Sequence, residues 1–165
     1  DIVVWSANQG NVTADNANFE LAQNSLPFYL QSGKKLFFTT GLPNAETQGQ
    51  GTLINWAPID SISSCTIALI GTGVSLINAD NTYPVITSSN LIQRIRGIKS
   101  TEPTTIVYRL PISTNCQTNT VVAIKDQAVN PRNILMTLPV YYLNSDVNIT
   151  KALFRKILIQ EFGYN

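Results

Sequence analysis

The chain has 165 residues, enough for one domain with its own core, and 44% of them are apolar, which separates it from disordered chains. Its 11 basic and 10 acidic residues leave a net charge of +1, so charge gives no case for nucleic acid or an anionic membrane surface. Histidine is absent, which excludes Ser-His-Asp and Cys-His catalysis, histidine-ligated zinc and a histidine pH switch.

The polar residues are unevenly chosen. Ser, Thr and Asn number 12, 17 and 17, against 6 Lys and 4 Glu. Lys and Glu are good helix formers, so their scarcity turns the expectation toward strands and turns, in a secreted, periplasmic or cell-surface setting. Cys65 and Cys116 are compatible with one disulfide in such a compartment, and equally with two unpaired small residues, one at a strand start and one in a loop. No apolar run is long enough to span a membrane. The chain opens directly on the core-like run Ile2 to Trp5, which reads as a piece of a longer protein.

Ile2 to Trp5 is a continuous, β-branched apolar run, predicting a strand buried in a parallel sheet. Residues 6 to 18 read as a loop. A helical pattern then runs from Phe19 through Leu26, Tyr29 and Leu30, with Ser25 as an N-cap, Pro27 tolerated in a first turn and Gly33 closing it. Leu36 to Phe38 predicts a second buried strand, so the first 40 or so residues form a βαβ unit. Residues 39 to 51 are polar loop. Leu53 to Ile62 is ambiguous, Cys65 to Ile70 reads as strand, and Gly71 to Gly73 as a turn. Val74 to Ile77 reads as strand and residues 78 to 81 as a second turn. Leu91 to Ile98 spaces its apolar residues as a short helix, and Thr104 to Arg109 is β-rich. Val121 to Ile124 and Ile134 to Leu138 predict a hairpin. The clearest helix is Asn148 to Phe162, with Ile149, Leu153, Ile157 and Phe162 on one side and Lys151, Arg155, Lys156 and Gln160 toward solvent. The sum is a single α/β domain over residues 1 to 165.

Few motifs carry chemistry. Gly71-Thr72-Gly73 starts like a dinucleotide fingerprint, but Leu76 stands where the third glycine belongs. Ser32-Gly33-Lys34-Lys35 fits S-x-x-K but straddles a helix end, where the Ser and Lys do not share a face. Asp80 with Asn78 and Asn81 lacks the distal Glu of a calcium loop and reads as an Asx turn. Asn11-Val12-Thr13 and Asn148-Ile149-Thr150 are sequons of the kind chance supplies in so Asn-rich a chain. No residue pattern calls for a cofactor or a metal.

Two stretches resemble a known family. Asp1 to Trp5, the helix ending Tyr29-Leu30-Gln31-Ser32-Gly33, and Lys34-Lys35-Leu36-Phe37-Phe38-Thr39-Thr40-Gly41 are similar to the core of class I glutamine amidotransferase-like domains. The nearest likeness is to versions carried by secreted or surface proteins of Bacteroidetes-type bacteria. Ile134 to Leu143, followed by a helix closing on Glu161-Phe162-Gly163-Tyr164, is similar to that group's last strand and helix, and Tyr83-Pro84 fits as well. The resemblance implies a mainly parallel, flavodoxin-like (Rossmann-like) sheet flanked by helices, a β-rich middle insertion, and a first strand and helix upstream of Asp1. Catalytic relatives carry a cysteine at a sharp elbow after the strand matching Leu36 to Phe38. Here Thr39-Thr40-Gly41 stands there, and the partner histidine has no counterpart.

The function expected is therefore a non-catalytic binding or scaffold module, with a carbohydrate or protein ligand and other domains of the same longer chain as partners. In parallel sheets ligands bind at the carboxyl ends of strands, which places Ser6, Asn8, Thr39, Thr40 and Asn44 on the binding rim. The rival is a metal- or carboxylate-dependent hydrolase of an extracellular substrate such as carbohydrate, using acids such as Asp60 or Asp80.

Overall fold

The structure is a computed structural model that describes residues 1–7, 24–41, 57, 59–68, 73–89, 94–100, 104–112, 120–143 and 146–164, with the backbone alone for 7, 60–68, 94 and 96. Eight strands share one mixed sheet: β1 (Ile2–Ala7), β2 (Lys35–Thr40), β3 (Ile59–Ala68), β4 (Ile77–Asn78), β5 (Arg94–Ser100), β6 (Thr105–Arg109), β7 (Val121–Lys125) and β8 (Asn133–Met136). The path across the sheet is β1-β2-β8-β7-β5-β3, and β6 pairs with both β7 and β4. Helix α1 (Leu26–Gln31) joins β1 to β2, and α2 (Val147–Arg155) continues as a π-helical turn over Lys156–Glu161.

The βαβ expectation holds at the front of the chain. β1 runs parallel to β2, Ile2 opposite Lys35 through Ala7 opposite Thr40, and β2 runs parallel to β8. Pro27 sits in the first turn of α1, where its missing N–H costs nothing, and Gly33 takes φ +80° just past the end. Ser25 stands at the cap but its side chain makes no capping bond; its carbonyl accepts the Tyr29 amide at 3.0 Å.

β2, β7 and β8 are buried along nearly their whole length because both sheet faces are covered. Leu36, Phe38 and Leu135 pack on the α1 face with Leu26 and Ile124. Phe37, Ile134 and Met136 face the other way, toward Leu153, Ile157 and Phe162 of the C-terminal helix. The period-2 alternation of a strand thus divides one apolar run between two cores. Trp5 meets Phe38 edge-on at 5.6 Å on the first side, and Phe37 meets Phe154 at 6.0 Å on the second.

Several expectations need correction. The sheet is mixed, not mainly parallel, since every pairing beyond β1, β2 and β8 is antiparallel. The β-rich middle does not stand apart as an insertion; β3 to β7 extend the same sheet. Of the stretch Leu91 to Ile98, expected to be a helix, the described part from Arg94 is strand β5. Ile95 and Ile98, three residues apart, share a helical face but point to opposite faces of β5, and both faces are core. Pairing with β3 and β7 thus overrides the local pattern. Cys65 lies within β3 instead of at its start. In place of a strand over Val74 to Ile77 there is the short β4 and a bridge from Ser75 to Thr87.

The C-terminal helix buries Leu153, Ile157 and Phe162 while leaving Ile149 37% exposed. Its α part begins with Asp146 as N-cap, the carboxylate accepting the Asn148 amide at 2.8 Å. The stripe steps by four residues from Ile149 to Leu153 to Ile157, then by five to Phe162. The π turn supplies that fifth residue, and the Phe162 amide donates to the Ile157 carbonyl at 2.9 Å. At the far end Gly163 has φ +67°, and Lys35 Nζ donates to the Phe162 carbonyl at 2.5 Å. Lys34 pairs with Asp1 at 2.8 Å beside it.

Candidate functional site

The carboxyl ends of β1, β2 and β8 bring together uncharged groups. Thr39 Oγ1 donates to Ser6 Oγ at 3.0 Å, because the parallel register sets those two residues side by side. The Val140 amide, in the 3-10 turn Val140–Tyr142 that follows β8, donates to Thr39 Oγ1 at 3.4 Å. Thr40 Oγ1 donates to the Gly41 carbonyl at 3.2 Å. Thr39 and Thr40 are buried and Ser6 is exposed, so of the three only Ser6 faces solvent. Asn8, Asn44 and Cys116 lie outside the described residues, as do the side chains of Cys65 and Asp60.

Aromatic surface adjoins these hydroxyls. Tyr141 is 47% exposed, and its ring lies 4.5 Å from that of Tyr142 at 44°. From sequence, Tyr141 and Tyr142 read only as core or sheet edge, without a place beside the hydroxyls. The signal was Pro139, which cannot continue a central strand and so ends β8 just before the two tyrosines. The turn is tied down from the neighbouring segment: the Ser89 amide donates to the Tyr142 carbonyl at 2.5 Å, and Ser88 bridges Leu143. Ser88 in turn accepts the Val74 amide on its hydroxyl at 2.9 Å. Gly73 passes so close that a Cβ there would meet the Ser88 carbonyl oxygen at 2.2 Å. Among the described residues this edge offers hydroxyls, main-chain groups and an aromatic face, a set suited to hydrogen bonding and stacking.

Charge collects at the opposite end of the parallel strands. Lys125, the last residue of β7, is buried, and its Nζ lies 3.0 Å from Asp80 Oδ2 and 3.0 Å from Glu161 Oε1. Lys156 reaches the same Glu161 oxygen at 3.1 Å, so it does not point to solvent as its helical position suggested. The Tyr83 ring lies 5.5 Å from the Lys125 ammonium and 5.2 Å from that of Lys156, within cation–π range. Asp80 forms the expected Asx turn, accepting the Thr82 amide at 3.0 Å and the Thr82 hydroxyl at 2.7 Å. Burial pushes the Asp80 carboxyl up, but the Thr82 and Lys125 hydrogen bonds outweigh it, and its pKa falls below the usual carboxylate value. Burial pushes Tyr83 up, reinforced by the Glu161 charge beside a hydroxyl that lies outside hydrogen-bonding geometry. Burial also raises Tyr108, whose hydroxyl donates to the Pro84 carbonyl at 2.6 Å.

Of the two acids named for a hydrolase, Asp60 has its side chain outside the described residues, and Asp80 belongs to the ion cluster. Asp80 is engaged by a lysine and a threonine, and among the described residues no group of three His, Cys, Asp or Glu side chains is placed to hold a metal. Among the described residues no helix is long and apolar enough to cross a membrane. Compared with known proteins, the chain matches no family model and no curated sequence.

Proposed function

We propose that the chain is a non-catalytic domain of the glutamine amidotransferase-like class, serving as a binding or scaffold module of a secreted or periplasmic bacterial protein. The observation that carries this reading is the end of β2. Where catalytic members of that class deliver a cysteine, this strand delivers Thr39-Thr40-Gly41. The partners described for the two hydroxyls are a serine hydroxyl, a main-chain amide and a main-chain carbonyl. A threonine needs a neighbouring base to act as a nucleophile, and the chain has no histidine to provide one. The parallel order of β1, β2 and β8, with α1 on one face and the C-terminal helix on the other, supports a flavodoxin-like arrangement.

The ligand is bound at the carboxyl edge and is a carbohydrate. The exposed Tyr141 ring supplies a stacking face for a sugar, and Ser6 an outward hydroxyl. Amide NMR shifts recorded while adding xylohexaose, cellohexaose, maltohexaose or a β-1,3-glucan hexamer test this. Shifts gathered on Ser6, Thr39, Thr40 and Tyr141, with affinity reduced at least ten-fold by Tyr141→Ala, support the reading. Shifts gathered elsewhere, or none with any of the four, refute the carbohydrate site. Hydrolysis of a sugar that Thr39→Val abolishes would overturn the non-catalytic assignment.

A further inference from the structure

The two strands that end the path across the sheet are not alike. At one end, β3 shifts register against β5 between Ile59 and Ser61 and again between Ile62 and Thr66. Bulges of this kind, and a charge such as its Asp60, keep an edge from adding another strand. At the other end, β1 runs from Ile2 to Ala7 in unbroken register with β2, and it carries no charge and no proline.

Among the described residues β1 pairs with β2 alone. The Lys35 amide donates to the Asp1 carbonyl at 3.1 Å, which fixes the side to which each residue turns. Main-chain groups along a strand turn to alternate sides, so Asp1, Val3 and Trp5 serve β2 while Ile2, Val4 and Ser6 turn their amides and carbonyls outward. The side chains are open as well: Val3 is 38% exposed and Val4 42%, on opposite faces of the sheet.

We propose that this edge takes the β1 strand of a second copy of the chain, antiparallel, with Val4 on a two-fold axis. A closed pair of identical chains meets through one self-complementary patch, and β1 supplies it. Ile2 then lies opposite Ser6 of the second copy and Val4 opposite its own counterpart, each pair exchanging both main-chain bonds. A shift of two residues either way takes Ile2 or Ser6 out of the pairing. Val3 lies opposite Trp5 of the second copy at a non-hydrogen-bonded position, where a β-branched side chain and an aromatic one come close.

Charge sets the direction. Asp1 stands at the amino end of β1, paired with Lys34 at 2.8 Å. Antiparallel pairing sends the two Asp1–Lys34 pairs to opposite ends of the interface, whereas parallel pairing in register sets Asp1 beside Asp1. The net charge of +1 leaves little repulsion between copies.

Sedimentation velocity on the full chain, at concentrations up to about 1 mM, tests this. A dimer is expected, with the Ile2, Val4 and Ser6 amides exchanging hydrogen at least ten-fold more slowly by NMR where the dimer predominates than where the monomer does. Val4→Lys sets two ammonium groups face to face on the axis and should weaken the dimer at least ten-fold. Val4→Glu should do the same, and mixing the two variants should restore a dimer. Val129→Lys, at a side chain 73% exposed in the turn between β7 and β8, should leave association unchanged. Three results overturn the proposal: a chain monomeric throughout, as when β1 serves a different protein; a dimer that Val4→Lys leaves intact; or Val4→Lys and Val4→Glu variants that do not combine. If the Val4 variants do not fold, the wild-type exchange pattern decides alone, and unchanged Ile2, Val4 and Ser6 amides overturn the proposal.

Discussion

Gly73→Ala perturbs the carboxyl edge at a distance from its hydroxyls. The added methyl would lie 2.2 Å from the Ser88 carbonyl oxygen, which is backbone and cannot rotate aside. Ser88 is fully buried, bridges Leu143 and accepts the Val74 amide. Relief therefore requires the 73–74 and 88–89 segments to part. Overpacking of this kind costs about 1–3 kcal/mol. Losing the Val74–Ser88 bond adds about 0.5–1.5 kcal/mol. A total of about 2–4 kcal/mol should lower Tm by roughly 5–15 °C in a chain of this size. Gly33→Ala is the control: its Cβ would meet nothing within 4 Å, and only its φ of +80° opposes a side chain. That strain costs about 1–2 kcal/mol. Urea unfolding followed by circular dichroism measures both. A Gly73→Ala loss smaller than that of Gly33→Ala would show that the close approach does not constrain the fold.

Three further outcomes are expected. Asp80 has a lowered folded-state pKa, so its contribution is present above its ordinary value of 3.8 and is lost as pH falls through the lower folded value; Asp80→Asn should flatten the acid limb of a stability-against-pH curve. Tyr83 and Tyr108 have raised values, so their contribution is full below the ordinary phenol value of 10.0 and declines above it; absorbance at 295 nm should show two of the six tyrosines ionising only as the chain unfolds in alkali. Leu153→Ala, at a side chain 1% exposed, should cost about 2–5 kcal/mol by urea unfolding whatever the ligand.

Local pattern was a good guide where one element explained its own residues. The runs Ile2 to Trp5 and Leu36 to Phe38 became parallel strands, though Ile2 to Trp5 lies at the sheet edge with Val3 and Val4 exposed and is not the buried strand expected, and Gly33 and Gly163 ended helices with positive φ. It failed where partners decided. Leu91 to Ile98 carried helical spacing, but two neighbouring strands claimed the backbone from Arg94 onward. The five-residue step from Ile157 to Phe162 was present in the sequence and is the mark of the π turn, yet an α-helical stripe absorbs one such irregularity without notice. The placing of Ser6, Thr39 and Thr40 at neighbouring strand ends was legible from the two apolar runs alone. The tyrosine pair read only as core or sheet edge, because its exact position depends on Ser89 and Ser88 from another segment. The ion cluster was least legible of all. Asp80, Lys125 and Glu161 are far apart in the chain, and only a lysine ending the apolar run Val121 to Ile124 hinted that a buried charge needed company.

The grip of Lys35 on the Phe162 carbonyl has a topological consequence. Lys35 also donates its amide to the Asp1 carbonyl at 3.1 Å, so one residue touches both the start of β1 and the close of the last helix. A short glycine-rich tether joining Tyr164 to Asp1 would span little distance, and new termini opened in the turn between β7 and β8 would yield a circular permutant with the same sheet. By the same geometry, polypeptide attached at either end of the chain departs near the amino ends of β1 and β2, opposite the ends that carry Ser6 and Thr39.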